Sequence, residues 1–278
     1  MLGERTCIMG VLNVTPDSFS DGGKYDQPDA AIQHAFALEM AGADLLDIGG
    51  ESTRPGSEET SASQELDRIL PVLEGLRGRL KVPISVDTRR SAVAEIAMRE
   101  GAQIINDVSG LRSDPRVAEV AAKCGAPLVL MHMRGEPRTM QRRPFALDVM
   151  KDVTRGLRES VARARKAGVE KSRIILDPGI GFGKSYGQNY ELIEKLAQLA
   201  ALGYPLLVGS SRKGFLGATL ARAGKRLPLE ERIWGTAATV TACILGGAHI
   251  VRVHDVAEMV QVARVADCVA NPKLRAAQ

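Results

Sequence analysis

Eight short apolar runs, each followed by a longer helix-like segment, constrain the fold more than any other feature of this 278-residue chain. Most of the runs are nearly continuous in Ile, Val and Leu, which is typical of parallel strands buried on both faces. They begin at Thr6, Ala43, Pro83, Gln103, Pro127, Arg173, Pro205 and His249. Apolar residues at helical spacing predict helices over 30–41, 91–100, 149–167, 190–202 and 233–245. A glycine follows each of these segments, and Ser91 is the predicted cap of the second.

Eight β-then-α units predict an α/β protein, a single (β/α)8 TIM barrel over residues 1–278. In such a barrel the active site lies at the C-terminal ends of the strands. The competing fold is a doubly wound sheet, which would place a G-x-G-x-x-G after the first strand. The sequence there is "GVLNVTPDS", which does not match. We also find no linker or composition break that would divide the chain.

Composition limits the classes of partner and the compartment. A net charge of +4 and an aromatic content of 4% argue against a dedicated nucleic-acid surface. No apolar run approaches the ~18 residues that a membrane helix needs, and the N-terminus lacks a signal pattern. The cysteines form no C-x-x-C pair, so we expect reduced thiols packed inside a cytoplasmic protein with neither nucleic-acid nor membrane partners. They are Cys7, Cys124, Cys243 and Cys268.

The stretch "DPGIGFGKS", residues 177–185, ends like a phosphate-binding P-loop. The P-loop pattern G-x-x-x-x-G-K-[ST] needs glycine at the position of Pro178. That loop binds phosphate through successive backbone N–H groups, and proline has none. The pattern therefore argues against a nucleotide site, and the stretch must be explained by its place in the barrel.

Polar residues follow every apolar run and should meet at one end of the barrel. Any one of them could equally be a structural cap or a salt bridge, so the prediction rests on the whole set. Asp87, Asn106 and Asp177 offer mainly acceptors, which suit a flat heterocycle with N–H donors. Donors for an anion such as phosphate are Asn13, Lys213, Arg252 and His254. The four histidines show no metal-ligand spacing.

The loop motifs resemble one family, the dihydropteroate synthases. "GVLNVTPDSFSDGG" at 10–23 and "DIGGESTRPGS" at 47–57 are the two specific motifs. "ISVDT", "INDVSG", "LMHMRG", "DPGIGFGK", "GSSRKGFLG" and "RVHD" follow in the family's order, so the resemblance spans nearly the whole chain. It implies a transferase that joins 6-hydroxymethyl-7,8-dihydropterin diphosphate to p-aminobenzoate, giving 7,8-dihydropteroate and pyrophosphate.

The resemblance also implies roles for individual residues. The pterin-binding residues would be Asp87, Asn106, Met131, Asp177, Gly181, Phe182 and Lys213. The diphosphate would be bound by Asn13, Thr53, Arg252 and His254, with Asn13 also contacting a Mg2+ cofactor. The p-aminobenzoate side would comprise Phe19, Thr53, Arg54, Pro55 and Ser211. The implied catalytic residues are Asp17, Lys213, Arg252 and His254. No role follows for Lys184, which we interpret as incidental.

Two alternatives remain beside this function. A non-catalytic pterin-binding paralogue would keep the barrel, and so would a corrinoid-dependent methyltetrahydrofolate methyltransferase. The methyltransferase would not need the "TPDSFSDGG" and "STRPGS" loops or the "SRK" triplet. The family is typically homodimeric, and the apolar segment 232–247 is a candidate for the core or for a dimer surface.

Overall fold

The computed structural model describes residues 3–15, 27–52, 57, 59–136, 138–141, 144, 146–271 and 273–274. Within these residues there are eight strands, one in each of the predicted apolar runs. The strands are β1 Cys7–Asn13, β2 Leu45–Gly49, β3 Ile84–Asp87, β4 Ile104–Asp107, β5 Leu128–Met131, β6 Ile174–Asp177, β7 Leu207–Val208 and β8 Ile250–Val253. All pairings between them are parallel, in the order β6-β5-β4-β3-β2-β1-β8-β7. A parallel bridge between Leu176 and Leu206 joins the two ends of this sheet. The predicted (β/α)8 barrel is therefore confirmed.

Helices connect the strands. They are α1 Gln27–Met40, α2 Ala62–Leu76, α3 Ser91–Arg99, α4 Val117–Cys124, α5 Val149–Lys166, α6 Tyr186–Glu194, α7 Leu196–Ala200, α8 Gly214–Thr219, α9 Ile233–Leu245 and α10 Val256–Ala270. No helix in the described ranges is long and apolar enough to cross a bilayer.

Three details of the predicted helices differ from the structure. The segment predicted as one helix over 190–202 is two helices, α6 and α7, that meet at Lys195. α6 begins earlier than predicted because the Ser185 side chain accepts from the backbone N–H of Gln188 in a capping box. The predicted capping role of Ser91 is wrong, because its hydroxyl donates to Asp114 at 2.6 Å instead.

Alternation along the strands divides the core into two layers. Cys7, Met9 and Leu45 belong to a cluster inside the barrel, whereas Ile8 and Leu46 belong to the larger cluster that includes helix residues. The four cysteines all lie in the described ranges and form no disulfide there, but Cys124 is exposed, so the expectation that all are packed inside is wrong for that residue. The closed, doubly covered sheet fixes the strand ends, and with them the polar groups that follow.

Candidate active site

A cavity of about 900 Å3 opens at the C-terminal ends of the strands. Asn13, at the end of β1, lines it together with the loops after β6 and β7 and the end of β8. The predicted residues that line it are Asn13, Gly181, Phe182, Ser211, Lys213, Arg252 and His254. Asp87, Asn106, Met131 and Asp177 are not lining residues and lie almost fully buried beneath this surface. The predicted donors thus face the cavity, and the predicted acceptors lie deeper.

We call Asp47, Asp87, Asn106 and Arg252 the Asp87 cluster. The Arg252 guanidinium donates from Nε to Asp47 Oδ2 at 2.6 Å and from Nη2 to Asp87 Oδ2 at 2.9 Å. Asn106 Nδ2 donates to the same Asp47 oxygen at 3.0 Å. Asp87 and Asn106 are register partners on β3 and β4, which brings their side chains to one level of the barrel. Arg252, one of the predicted donors, therefore contacts Asp87, one of the predicted acceptors.

The Asp87 cluster is short of positive charge and of hydrogen bonds. Asp47 is fully buried, and neither its Oδ1 nor Asn106 Oδ1 has a hydrogen-bond partner in the described part of the chain. Burial, together with the negative charge of Asp47, raises the pKa of Asp87 well above its usual value, although Arg252 opposes this. Unsatisfied buried acceptors are costly, so this cluster is suited to receive donors from a ligand.

We call residues 177–184 the Asp177 turn. Oδ1 of Asp177 accepts the Gly179 N–H at 2.6 Å. Burial raises the pKa of Asp177 to about 6, while this N–H and the charges of Lys184 and Lys213 lower it. Gly179 has φ of +67°, and a Cβ there would lie 2.0 Å from the carbonyl oxygen of His132, so only glycine fits. The carboxylate is thus held through one oxygen, which leaves Oδ2 to bind a ligand.

An apolar surface and one cation lie beside the Asp177 turn. Phe182 packs in a cluster with Val108, Met131, Met133 and Met140. Lys213 Nζ lies 4.0 Å from the centre of the Phe182 ring, a cation–π contact. Burial and the charge of Arg252 lower the pKa of Lys213 to about 8. The arrangement provides a flat apolar face next to a desolvated ammonium.

Ser211 and His254 form a pair at the other side of this surface, after β7 and β8. Ser211 Oγ accepts the backbone N–H of His254 at 3.2 Å and lies 3.0 Å from His254 Nδ1. Burial and the charges of Arg252, Arg212 and Lys213 lower the pKa of His254 to about 3, so the ring is neutral near pH 7. We infer that the Ser211 hydroxyl donates to Nδ1, which puts the ring proton on Nε2.

Arg212, between the two predicted residues Ser211 and Lys213, has a strained backbone with φ of +57°. Its backbone N–H donates to Thr236 at 3.1 Å, and its guanidinium forms an ion pair with Asp255. These contacts, with Arg232 donating to the Arg212 carbonyl at 2.9 Å, hold the strained conformation. The strain places the residues on both sides of Arg212 at the cavity surface.

Comparison of the sequence with known proteins shows the family of this chain. The family model described as "Pterin binding enzyme" matches residues 9–254. The dihydropteroate synthase of Synechocystis sp. is 48% identical over 265 residues, which are 95% of this chain and 90% of that protein. The chain belongs to the dihydropteroate synthase family.

Two solved dihydropteroate synthase structures support this assignment. One, from Clostridium difficile in the presence of pteroic acid, matches with a TM-score of 0.90 and 43% identity, covering 96% of this chain and 98% of that one. The other, from Xanthomonas albilineans with 4-aminobenzoic acid, matches with a TM-score of 0.89 and 42% identity, covering 96% and 93%. These relatives share the barrel along nearly its whole length.

Several residues expected to act in a dihydropteroate synthase lie outside the described residues. They are Asp17, Phe19, Thr53, Arg54 and Pro55. Conversely, two buried residues of the site were not predicted, Asp47 and Lys184. The signal for Asp47 is a carboxylate inside the apolar run "LLDIG". The view of Lys184 as incidental is wrong, because its ammonium is buried and donates to two backbone carbonyls.

The residues present fit a Mg2+ ion that arrives with a substrate. Mg2+ prefers oxygen ligands, keeps several waters and commonly binds substrate phosphates with only one or two protein groups. Asn13 offers one amide oxygen at the cavity surface. Over the described part of the chain, no group of three or more His, Cys, Asp or Glu could hold a metal alone. The donor set therefore suits an ion shared between Asn13 and a diphosphate.

Proposed function

We propose that this chain catalyses the family reaction, the condensation of 6-hydroxymethyl-7,8-dihydropterin diphosphate with p-aminobenzoate to give 7,8-dihydropteroate and pyrophosphate. The observation that carries the proposal is the convergence of two buried acceptor groups, the Asp87 cluster and the Asp177 turn, beneath donors that line one cavity. The pteroic acid and 4-aminobenzoic acid named for two related structures are the product scaffold and a substrate of this reaction.

The pterin ring would bind at the acceptors. Asp177 Oδ2 and Asn106 Oδ1 could accept its N–H groups, since the partners that these side chains have among the described residues engage the other atoms. Asp87 becomes available when Arg252 gives up one hydrogen bond, while Asp47 still holds the guanidinium through Nε. Met131 and Phe182 supply apolar contacts, and Gly181 allows the Lys213 side chain to pass close by, because a Cβ there would lie 3.0 Å from Lys213 Cδ.

The diphosphate would bind at the donors, Asn13, Arg252 and His254. Neutral His254 donates from Nε2, and the released arm of Arg252 adds positive charge where charge grows on the departing pyrophosphate. Mg2+ would be held by Asn13 with the diphosphate oxygens and would neutralise part of that charge. The ionised Asp177 carboxylate would stabilise positive charge that spreads into the pterin as the C–O bond to the diphosphate breaks.

The attacking amine needs little assistance. An arylamine is neutral near pH 7, so its nitrogen can attack the pterin methylene without a strong general base, and its proton can pass to water. We place p-aminobenzoate beside Phe182 and Ser211, because both line the cavity. Lys213, a cation above the Phe182 ring, would contact the pterin and hold both substrates on one side of the site.

The decisive measurement mixes the protein, Mg2+ and both substrates, then detects dihydropteroate by mass spectrometry and pyrophosphate by a coupled assay. We expect equal amounts of both products, and none when p-aminobenzoate is omitted. Tight pterin binding without product would identify a non-catalytic paralogue. Methyl transfer from methyltetrahydrofolate to a corrinoid would identify the methyltransferase alternative.

We further propose that the protein is a cytoplasmic homodimer that pairs through α9 and α10. Trp234 is 79% exposed and Leu245 51% exposed on α9, and Val265 and Val269 are 68% and 58% exposed on α10. Such exposed apolar residues on two helices favour a protein–protein interface. Sedimentation velocity should show a dimer that Trp234→Lys converts to monomer. A monomeric wild-type protein at micromolar concentration would contradict the interface.

A further inference from the structure

Lys184 is a buried cation that the proposed reaction does not use. Its residue is 2% exposed, and its Nζ donates to the carbonyl of His132 at 2.7 Å and to that of Gly179 at 2.8 Å. His132 follows β5, and Gly179 lies within the Asp177 turn after β6. One ammonium therefore joins the ends of two neighbouring strands.

Both anchor points are connected to Asp177. The His132 N–H donates to the Asp177 carbonyl at 2.9 Å, and the Gly179 N–H donates to the Asp177 carboxylate at 2.6 Å. A lysine that fixes the carbonyls of these same two residues fixes the backbone that aims the carboxylate. Charge-assisted hydrogen bonds of this kind are roughly twice as strong as neutral ones, so the constraint is substantial.

The charge of Lys184 also acts on the carboxylate. Burial lowers the pKa of Lys184 to about 7, opposed by Asp177 and Asp152, while Lys213 and Arg112 lower it further. The other charges that act on Asp177 are Lys213 and Arg252. His132 and Cys243, also packed nearby, stay neutral because burial lowers the pKa of the first and raises that of the second to about 12. A positive Lys184 thus favours the ionised form of Asp177 below about pH 7.

We propose that Lys184 is a positioning residue for pterin recognition, which orients the Asp177 carboxylate and keeps it ionised. The inference rests on the proposed role of Asp177 as a pterin acceptor. The "GKS" end of "DPGIGFGKS" then has two structural explanations, a lysine under the turn and a serine that caps α6.

The test compares Lys184→Gln, which keeps N–H donors but loses the charge, with Lys184→Arg, which keeps the charge. Lys166→Gln, at the exposed end of α5, is the matched control. The dissociation constant of the pterin diphosphate is measured calorimetrically without p-aminobenzoate from pH 5.5 to 9. The dissociation constant of each variant is divided by that of the wild type at the same pH, so that any pH dependence caused by ionisation of the ligand cancels.

Loss of the charge should raise the pKa of Asp177 by roughly one unit, a typical effect of one nearby charge. The ratio for Lys184→Gln should therefore be about five- to tenfold near pH 6 and approach one above pH 8, where wild-type Lys184 is itself neutral. The ratios for Lys184→Arg and Lys166→Gln should not depend on pH. The KM for p-aminobenzoate should stay unchanged in all three.

A ratio for Lys184→Gln that is constant with pH, or close to one throughout, would overturn the proposal. A Lys184→Gln protein that does not fold would also overturn it, because Lys184 would then be needed for folding of the barrel and not specifically for the Asp177 carboxylate. These outcomes are distinct from failure of the proposed function, which would appear as wild-type protein that binds no pterin or makes no product.

Discussion

Asp87 and Asp177 both end a strand, both are nearly buried and both are proposed to bind the pterin, yet their surroundings differ. At Asp87, two carboxylates share one guanidinium, and one oxygen of Asp47 has no hydrogen-bond partner within the described ranges. At Asp177, a backbone N–H holds the carboxylate and two lysines lie near it without forming an ion pair among the described residues. Burial raises both pKa values, and that of Asp87 further, because Asp47 adds a second negative charge.

The difference indicates that the two carboxylates have different roles. Asp177 is aimed before the ligand arrives, because its turn is fixed by glycine geometry and by Lys184. Asp87 is occupied by Arg252, so pterin binding there must break an ion pair and thereby free an arm of Arg252 for the diphosphate. Binding of the ring and delivery of positive charge to the leaving group would then be coupled at the Asp87 cluster alone.

The largest effect is expected from a substitution that breaks the Asp87 cluster. Arg252→Met leaves Asp47 and Asp87 as buried carboxylates without a cation, which should lower the free energy of unfolding by about 3–5 kcal/mol at pH 8. The deficit should shrink as pH falls, because a carboxylate that lacks its cation is protonated more readily in the folded state. Turnover should fall more than p-aminobenzoate affinity. Urea unfolding at several pH values and steady-state kinetics measure the two effects.

Arg158→Met, on the exposed side of α5, is the control for losing an arginine without leaving a buried charge. It should change the unfolding free energy by less than about 0.5 kcal/mol. The cluster would be of little consequence if Arg252→Met were as stable as this control, or if its turnover matched that of the wild type.

Much of the barrel could be predicted from the sequence because the strand signal is local. Apolar runs and their glycine-terminated helices depend on neighbouring residues. Several of the polar residues that follow the runs line the cavity. β7 shows the limit, since the run from Pro205 gives only Leu207–Val208 as strand before the chain turns through the strained Arg212. That turn depends on Thr236, Arg232 and Asp255, which are distant in sequence.

The pairing of site residues could not be predicted for the same reason. Arg252 contacts Asp47 and Asp87, which are 205 and 165 positions away, and Lys184 donates to a carbonyl 52 positions away. A backbone carbonyl has no sequence signature, so Lys184 gave no local sign of its role. Residue type suggested which groups could act as donors or acceptors. The closed sheet shows which of these groups form ion pairs with one another.

A smaller effect should follow from Asp177→Asn, which sharpens the contrast with Arg252. The substitution removes one charge-assisted acceptor, so binding of the pterin diphosphate should weaken by about 2 kcal/mol. Because Asp177 forms no ion pair with any residue that the structure describes, and the Asn side-chain oxygen can still accept the Gly179 N–H, the unfolding free energy should change far less than in Arg252→Met. Calorimetry and urea unfolding, with exposed Asp67→Asn on α2 as control, separate the two quantities. Unchanged pterin affinity would remove Asp177 from the site. A stability loss as large as that of Arg252→Met would instead show that both carboxylates are held in the same way.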